Sequence, residues 1–300
     1  MDRCIMCGIV GVFCKNASLE PRLGDLLSSM LVQMSDRGPD SAGVALYGAP
    51  QDGAVKLTLR GKSAAHMAGA AERLKQVTHS DIVLHDTHAV ARIDESVAEG
   101  AGALIAGAGL DVDLVGTGRR MELYKEVGLP GSIVERFGLR AIAGSHGIGH
   151  TRMATESAVT TDGAHPFSTG LDQCLVHNGS LSNHNRVRRS LRREGIRIDT
   201  ENDTEVAAGY LTWRMRQGMS LGESLTKALD DLDGFYTFVV GTETGFGVLR
   251  DPISCKPAVM AETDDYVAFA SEYRALTPLP GIEQARLFEP EPARVYFWER

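Results

Sequence analysis

The 300-residue sequence lacks the features that mark several classes of protein. No apolar run reaches the roughly 18 residues that span a bilayer, and the opening segment MDRCIM is too short for a secretory signal. Five cysteines in so long a chain do not make a disulfide framework, so we expect a reducing compartment, the cytoplasm. The 39 acidic residues outnumber the 31 basic ones, which gives a net charge of −8. This balance argues against a nucleic acid or an anionic membrane as a partner.

The rest of the composition is that of an ordinary globular protein, with 43% apolar and 23% charged residues. The β-branched run at 7–13 predicts a buried strand, and the apolar spacing over 23–34 predicts an amphipathic helix that stops before Gly38-Pro39. Further strands are predicted at 43–47, 55–59, 121–127, 148–152, 173–176, 235–242, 245–250, 258–262, 266–270 and 294–298, and further helices at 132–137, 182–194, 203–216 and 221–230. Strands, then helices, then strands favour an α+β fold.

The segment 63–116 has a pattern of its own. It predicts a helix at 64–77, a strand at 82–93, an Ala/Gly-rich helix at 95–106 and a strand at 112–115, hence a small β-α-β insert in a single body. His85-Asp86-Thr87-His88 resembles a metal-binding pair, but its place on a strand favours a polar strand edge. No metal site is expected in this chain.

Cys7 is a candidate nucleophile because it opens a strand close to the start of the chain. If residues 1–6 are absent, Cys7 carries a free α-amine, whose pKa near 7.7–8.0 makes it a base at neutral pH. The alternative is a small buried hydrophobic residue. A redox or zinc role for Cys4 and Cys7 lacks a second ligand pair. Cys14, Cys174 and Cys255 are expected to be buried and inert.

Three further motifs each allow a functional and a structural interpretation. Arg152 at a strand end can present a planar fork to a carboxylate, or form a surface ion pair. Asn178-Gly179 can supply two uncharged donors to an oxyanion, or form a turn. Asp203 can hold a substrate ammonium, or cap the helix that it begins.

Taken in order, the motifs resemble a known family. They are Cys7-Gly8-Ile9-Val10-Gly11, Arg37-Gly38-Pro39-Asp40-Ser41-Ala42-Gly43, His150-Thr151-Arg152-Met153-Ala154-Thr155, His165-Pro166-Phe167, His177-Asn178-Gly179 and Asp203-Thr204-Glu205. This series resembles the class II glutamine amidotransferase domain, an N-terminal-nucleophile hydrolase. The resemblance implies a four-layer αββα sandwich and hydrolysis of L-glutamine to L-glutamate and ammonia.

The resemblance also assigns roles to individual residues. It implies that Cys7 is the nucleophile with its α-amine as base, that Asn178 and Gly179 form the oxyanion hole, that Arg152 holds the α-carboxylate and Asp203 the α-ammonium of glutamine, that Thr155 and His165 line the pocket, and that Arg37 lies behind the nucleophile. A free amino acid needs one fixed cation and one fixed anion, which speaks against a different amide as substrate.

The expected domain is a type-2 glutamine amidotransferase over 7–300, with residues 1–6 a removed propeptide or the result of an upstream start. The chain is too short to include a synthase domain, so the ammonia acceptor is expected on a partner chain. The sequence is most similar to the stand-alone glutaminase-like subunit of glutamate synthase-type and N-methylglutamate synthase-type enzymes. That resemblance implies no cofactor in this chain, and flavin and iron–sulfur groups on the partner. The alternative is a non-catalytic structural or regulatory subunit of such a complex.

Overall fold

A computed structural model describes residues 6–50, 52–78, 80–153 and 159–300. Its α-helices are α1 (Leu23–Val32), α2 (Ala64–Thr78), α3 (Ala101–Gly107), α4 (Pro130–Phe137), α5 (His184–Arg193), α6 (Asp203–Arg216) and α7 (Leu221–Asp231). Its strands are β1 (Gly8–Cys14), β2 (Ser41–Tyr47), β3 (Ala54–Arg60), β4 (Ile82–His85), β5 (His88–Asp94), β6 (Asp113–Gly118), β7 (Met121–Val127), β8 (His146–Arg152), β9 (Phe167–Gly170), β10 (Gln173–Leu181), β11 (Gly234–Gly241), β12 (Gly245–Arg250), β13 (Val259–Glu262), β14 (Tyr266–Ala270), β15 (Arg286–Phe288) and β16 (Val295–Glu299).

Two large antiparallel sheets form the body. One has seven strands in the order β15-β13-β14-β1-β8-β2-β7, and the other has five in the order β16-β12-β11-β10-β9. The predicted strand at 121–127 and the predicted helix at 203–216 coincide with β7 and α6. Because the strand pairs of both sheets are antiparallel and not the parallel pairs of a regular α/β alternation, the α+β prediction is confirmed.

The core is divided by these sheets because side chains alternate between the two faces of a strand. On β1, Val10 and Val12 pack in a cluster with residues of α1 and α4, whereas Ile9 and Phe13 pack with residues of the five-stranded sheet. The other face of that sheet packs against residues of α5, α6 and α7. A stack of helices, sheet, sheet and helices would have its core residues distributed in this way. The four-layer sandwich itself stays a prediction.

The pairing of the strands brings distant motifs to one end of the seven-stranded sheet. Gly8 of β1 is paired with Thr151 of β8, and Ser41 of β2 is paired with Arg152. Because both pairs are antiparallel, the start of β1, the start of β2 and the end of β8 lie side by side. Cys7, which directly precedes β1, therefore lies beside Arg152.

The insert predicted at 63–116 has the predicted order of elements, but its strands belong to a larger sheet than a single β-α-β unit. A four-stranded antiparallel sheet occupies this part of the chain in the order β4-β5-β3-β6. It includes β3, which the sequence assigned to the body, and it extends to Gly118. The single strand predicted at 82–93 is a hairpin, because Asp86 adopts a left-handed φ of 55° that reverses the chain. His85 ends the edge strand β4 and His88 begins β5, so both histidines lie on strands as predicted, and only Asp86 and Thr87 form the turn.

The structure also bears on two other features, a membrane-spanning helix and a metal site. Within the described ranges, no helix is long and apolar enough to cross a membrane. In the same residues, no group of three or more His, Cys, Asp or Glu side chains is arranged to hold a metal ion.

Candidate active site

The backbone carbonyl of Cys7 is the point at which three predicted site residues meet. It accepts a hydrogen bond from Arg37 Nε at 3.1 Å and another from Asn178 Nδ2 at 3.1 Å. The Cys7 thiol lies 3.7 Å from the carbonyl oxygen of Met153, the residue that follows Arg152. Cys7 is thus surrounded by residues from β10, from the end of β8 and from the loop after α1.

The environment of the Cys7 thiol disfavours its ionised form. Burial raises the pKa of the thiol, although the positive charges of Arg152 and Lys256 act in the opposite direction. The thiolate is the nucleophilic form of cysteine. A reaction at this sulfur at neutral pH therefore needs a base beside it.

Arg37, which donates to the Cys7 carbonyl, is buried and ion-paired. Its Nη1 lies 2.5 Å from Glu272 Oε1, and only 6% of the residue is exposed. The next residue, Gly38, packs against the backbone of Thr151 and Arg152, where a Cβ would come within 2.5 Å of the Thr151 carbonyl carbon. The glycine is required because two backbone segments touch there.

Asn178 and Gly179 do not form a turn, so that structural interpretation is wrong. Both lie within β10, where Asn178 is paired with Thr237 and Gly179 with Tyr236 of β11. Gly179 has a φ of 145°, and a Cβ there would collide with the carbonyl oxygen of Phe235. On the opposite edge of β10, β9 pairs only with residues 173–175, so no described strand covers that edge at Asn178 and Gly179.

Asp203 does not cap its helix, so this structural interpretation is also wrong. The cap of α6 is Asn202, whose side chain accepts a bond of 2.9 Å from the backbone N–H of Thr204. Asp203 Oδ2 instead accepts a bond of 2.9 Å from Leu181 N, at the end of β10, and Oδ1 lies 3.7 Å from His177 Nδ1. Burial acts to raise the pKa of the Asp203 carboxyl, but His177 and the Leu181 N–H more than offset it. The carboxylate stays ionised at neutral pH.

A cluster of buried histidines supports these residues. Thr204 Oγ1 lies 2.7 Å from His165 Nε2 and 3.1 Å from His177 Nδ1. The ring of His150 stacks on that of His165 with centroids 4.1 Å apart, and its Nε2 lies 3.1 Å from the His177 carbonyl oxygen. Burial lowers the pKa of His150 to about 3 and that of His165 well below its usual value. The stacked pair is therefore neutral, and His165 joins it to Thr204, the residue after Asp203.

The remaining predicted residues are placed as follows. Arg152 ends β8, is 7% exposed, and has its Nη1 within 3.3 Å of where a Cβ of Gly163 would lie. His165 is buried in the histidine cluster. Thr155 lies outside the described residues. Cys14 and Cys174 are buried as expected, but Cys255 is exposed, so that part of the prediction is wrong.

Sequence reasoning missed several residues that build the site. His150 and His177 stand inside the quoted motifs, so a signal for them was present. Glu272 and Lys125 stand in no motif, and they reach the site through contacts between distant parts of the chain. Such pairs leave no trace in local spacing.

Comparisons with known proteins agree with this geometry. A family profile described as "Glutamine amidotransferase domain" matches residues 150–278. Over 296 residues the chain is 61% identical to the "Glutamine amidotransferase-like protein GlxB" of Rhizobium meliloti (strain 1021), a match that covers 98% of both chains. This relative is therefore similar to the chain along nearly its whole length.

Two solved structures share the fold. They are the glutamine phosphoribosylpyrophosphate amidotransferase of B. subtilis complexed with ADP and GMP, at 19% identity, and an allosteric regulatory enzyme of purine biosynthesis, at 20% identity. Both have a TM-score of 0.62, and each match covers 98% of this chain and 47% of the other, so the chain spans about half the length of these enzymes. With the profile and the 61% identical relative, the chain belongs to the class II glutamine amidotransferases.

Proposed function

We propose that this chain hydrolyses L-glutamine to L-glutamate and ammonia, with Cys7 as the nucleophile. The observation that carries the proposal is the convergence of Arg37 and Asn178 on the Cys7 carbonyl, beside Arg152. Family membership supports glutamine as the substrate. The roles of the single residues are our inference from their positions and chemistry.

Binding of glutamine is assigned to the two charged residues of the site. Arg152 offers a fork of N–H donors to the α-carboxylate, and the ionised Asp203 offers an acceptor to the α-ammonium. The amide end of glutamine is neutral and is matched by the neutral amide of Asn178. The zwitterion is thereby oriented with its side-chain amide towards Cys7.

The proposed reaction has two stages. In the first, the α-amine of Cys7 takes the thiol proton, and the sulfur attacks the amide carbon of glutamine. Asn178 Nδ2 and the backbone N–H of Gly179 stabilise the negative charge that develops on the amide oxygen. The protonated amine then gives its proton to the departing nitrogen, which leaves as ammonia. In the second stage water hydrolyses the thioester, which releases glutamate and restores the thiol.

This mechanism requires the mature chain to begin at Cys7, because an amide nitrogen between Met6 and Cys7 is not a base. We expect the intact mass of the active protein to match a chain without residues 1–6. Full activity of a protein that retains Met6 would contradict the α-amine mechanism. An unprocessed chain that is found in the complex and does not hydrolyse glutamine would favour the alternative, a non-catalytic subunit.

The nucleophile is tested by covalent labelling. A diazo-ketone analogue of glutamine should add once, at Cys7, and the Cys7→Ala variant should neither react nor hydrolyse glutamine. Cys255→Ala is the matched control, because Cys255 is the exposed thiol that an unselective reagent would find first. Labelling that disappears in Cys255→Ala and persists in Cys7→Ala would show that Cys255 reacts and Cys7 does not, which would overturn the proposal.

We further propose that the ammonia is used by a synthase subunit on a partner chain of the glutamate synthase-like kind. The resemblance to stand-alone glutaminase-like subunits supports this, and flavin and iron–sulfur groups would then belong to that partner. The test is to purify the complex from its source, identify the partner, and measure transfer of amide nitrogen from labelled glutamine to the product. Release of all labelled nitrogen as free ammonia by the intact complex would contradict it.

A further inference from the structure

Lys125 is a buried lysine that touches the loop 159–166, the segment leading from the neighbourhood of Arg152 to β9. It belongs to β7, lies opposite Gly43 of β2 and is 6% exposed. Its Nζ donates to the carbonyl oxygens of Ala164 at 2.9 Å, Asp162 at 3.3 Å and Pro166 at 3.4 Å. An ammonium has three N–H groups. The three carbonyl oxygens of this loop therefore match its three donors.

The charged form of the ammonium is favoured by these carbonyl groups and by the negative charges of Asp162 and Glu205. Its remaining close partner is the ring of Phe167, whose centroid lies 4.4 Å from Nζ. Burial, followed by the nearby Arg60, lowers the pKa of Lys125 to about 8. An apolar side chain of equal length would avoid the cost of burying a charge. What the lysine adds is a fixed position for three carbonyl groups of one loop.

That loop contacts both ends of the proposed amino-acid site. At Gly163 its backbone lies against the guanidinium of Arg152, where a Cβ would come within 3.3 Å of Nη1. Two residues later, His165 donates to or accepts from Thr204, the neighbour of Asp203, at 2.7 Å. A shift of the loop would therefore move the surroundings of the cation and of the anion that are assigned to glutamine.

We propose that Lys125 is a positioning residue for glutamine binding, which acts by fastening the loop 159–166 against Arg152 and Thr204. The inference rests on the proposed glutamine site, and it adds a residue that no motif contains. Among the described residues, the hydrogen bonds of Lys125 Nζ all go to this loop. Its effect is therefore on how glutamine is held and not on how the amide bond is broken.

The test compares two buried lysines. Lys125→Met removes the ammonium and keeps most of the length of the side chain. Lys56→Met is the matched control: Lys56 is 4% exposed, and in the described part of the chain its Nζ donates to Glu122 at 2.8 Å and to Arg120 O at 3.3 Å and not to the loop 159–166. Thermal unfolding of both variants measures how far each substitution disturbs the fold in general.

Steady-state kinetics then separate positioning from general damage. We expect Lys125→Met to raise KM for glutamine about tenfold or more while kcat changes by less than about threefold, because ground-state contacts are lost. Lys56→Met should change KM by less than about twofold, since its contacts are remote from the site. Hydrogen exchange of peptides covering 159–166 should become faster in Lys125→Met only.

A second variant and a second background keep the outcome decisive. Lys125→Gln keeps two N–H donors without the charge, and its KM should fall between those of the wild type and Lys125→Met. In a Cys7→Ala background the glutamine dissociation constant should rise as KM does. Equal KM changes in the two methionine variants, or faster exchange without a change in KM, would overturn the proposal. Glutamine binding without hydrolysis by the processed wild type would overturn the proposed function and leave this inference standing.

Discussion

The side-chain amide of Asn178 donates a hydrogen bond of 3.1 Å to the backbone carbonyl of Cys7, a residue 171 positions earlier. The bond joins β10 of the five-stranded sheet to the start of β1 in the seven-stranded sheet. An amide nitrogen has two N–H groups. One therefore fixes the direction of the Asn178 side chain, while the other is a donor that a substrate oxygen beside the Cys7 thiol can use.

This arrangement predicts the effect of removing the amide. Asn178→Ala should lower kcat by about 100- to 1,000-fold, which is the usual cost of losing one oxyanion donor. KM for glutamine should change little, because the charge on the oxygen exists in the transition state only. Steady-state glutamate release measures both constants.

The matched control for this variant is Asn183→Ala. The Asn183 amide donates to Asp231 O at 2.9 Å and accepts from Asp233 N at 3.1 Å, two residues beyond the end of β10. Its loss should lower stability without lowering kcat by more than about threefold. A rise in KM with unchanged kcat in Asn178→Ala would show that Asn178 binds the ground state instead.

Asp203 should have the opposite kinetic signature. Asp203→Asn still accepts the Leu181 N–H but loses the negative charge, so KM for glutamine should rise about 10- to 100-fold with kcat largely kept. The neighbouring cap variant, Asn202→Ala, should lower stability by about 1 kcal/mol and leave KM unchanged. If the cap variant raised KM as much as Asp203→Asn does, helix position and not charge would explain the effect.

The ion pair behind Cys7 predicts a stability effect. Glu272→Gln removes the carboxylate that lies 2.5 Å from the buried Arg37, so the guanidinium loses its charge partner. Because Glu272 is 34% exposed, water compensates in part, and we expect a loss of about 1–3 kcal/mol in the free energy of unfolding.

Urea unfolding measures this loss, and Glu262→Gln is its control. Glu262 pairs with Lys15 at 2.7 Å, and both side chains are about a quarter exposed, so its removal should cost less than about 1 kcal/mol. Equal losses in the two variants would show that the burial of Arg37 does not increase the contribution of its ion pair to the free energy of unfolding.

Local patterns in the sequence predicted the elements whose signals are local. The helix at 203–216 was predictable from two local signals. Capping residues precede it, and Gly209 is the one residue in its interior that disfavours a helix. The hairpin between β4 and β5 was not, since Asp86 adopts a left-handed conformation that a continuous β-branched pattern conceals. For the site, motif order predicted Cys7, Asn178 and Arg37 together.

What the sequence could not predict are the contacts that cross the fold. Arg37 and Glu272 are 235 positions apart, and Lys125 contacts Ala164 at a separation of 39. Such contacts depend on which strands are neighbours in a sheet, and that is a property of the whole chain. The dependence on distant contacts also explains why two motifs were ambiguous. Asp203 can cap a helix or bind a ligand, and Asn178-Gly179 can form a turn or bind a ligand, with the same local sequence in each case.

The buried histidines predict how stability changes with pH. Burial lowers the pKa of His88, His146 and His150 to about 3, and that of His165 well below its usual value. In the unfolded chain all four regain a pKa of about 6.5. Below that value the unfolded state binds more protons than the native state, so stability falls as the pH falls from about 6.5 towards 3.

The size of this effect is testable. Between pH 7.0 and 5.5 each of the four histidines costs a little over 1 kcal/mol, hence roughly 5 kcal/mol together, a large share of the usual 5–15 kcal/mol of a folded domain. Urea unfolding at pH 7.0 and 5.5 should show this loss. His88→Phe removes one titrating group far from Cys7, where its ring packs at 4.7 Å from that of Phe137, and should reduce the loss by about a quarter. An unfolding free energy that is the same at both pH values would show that these histidines take up protons in the native state.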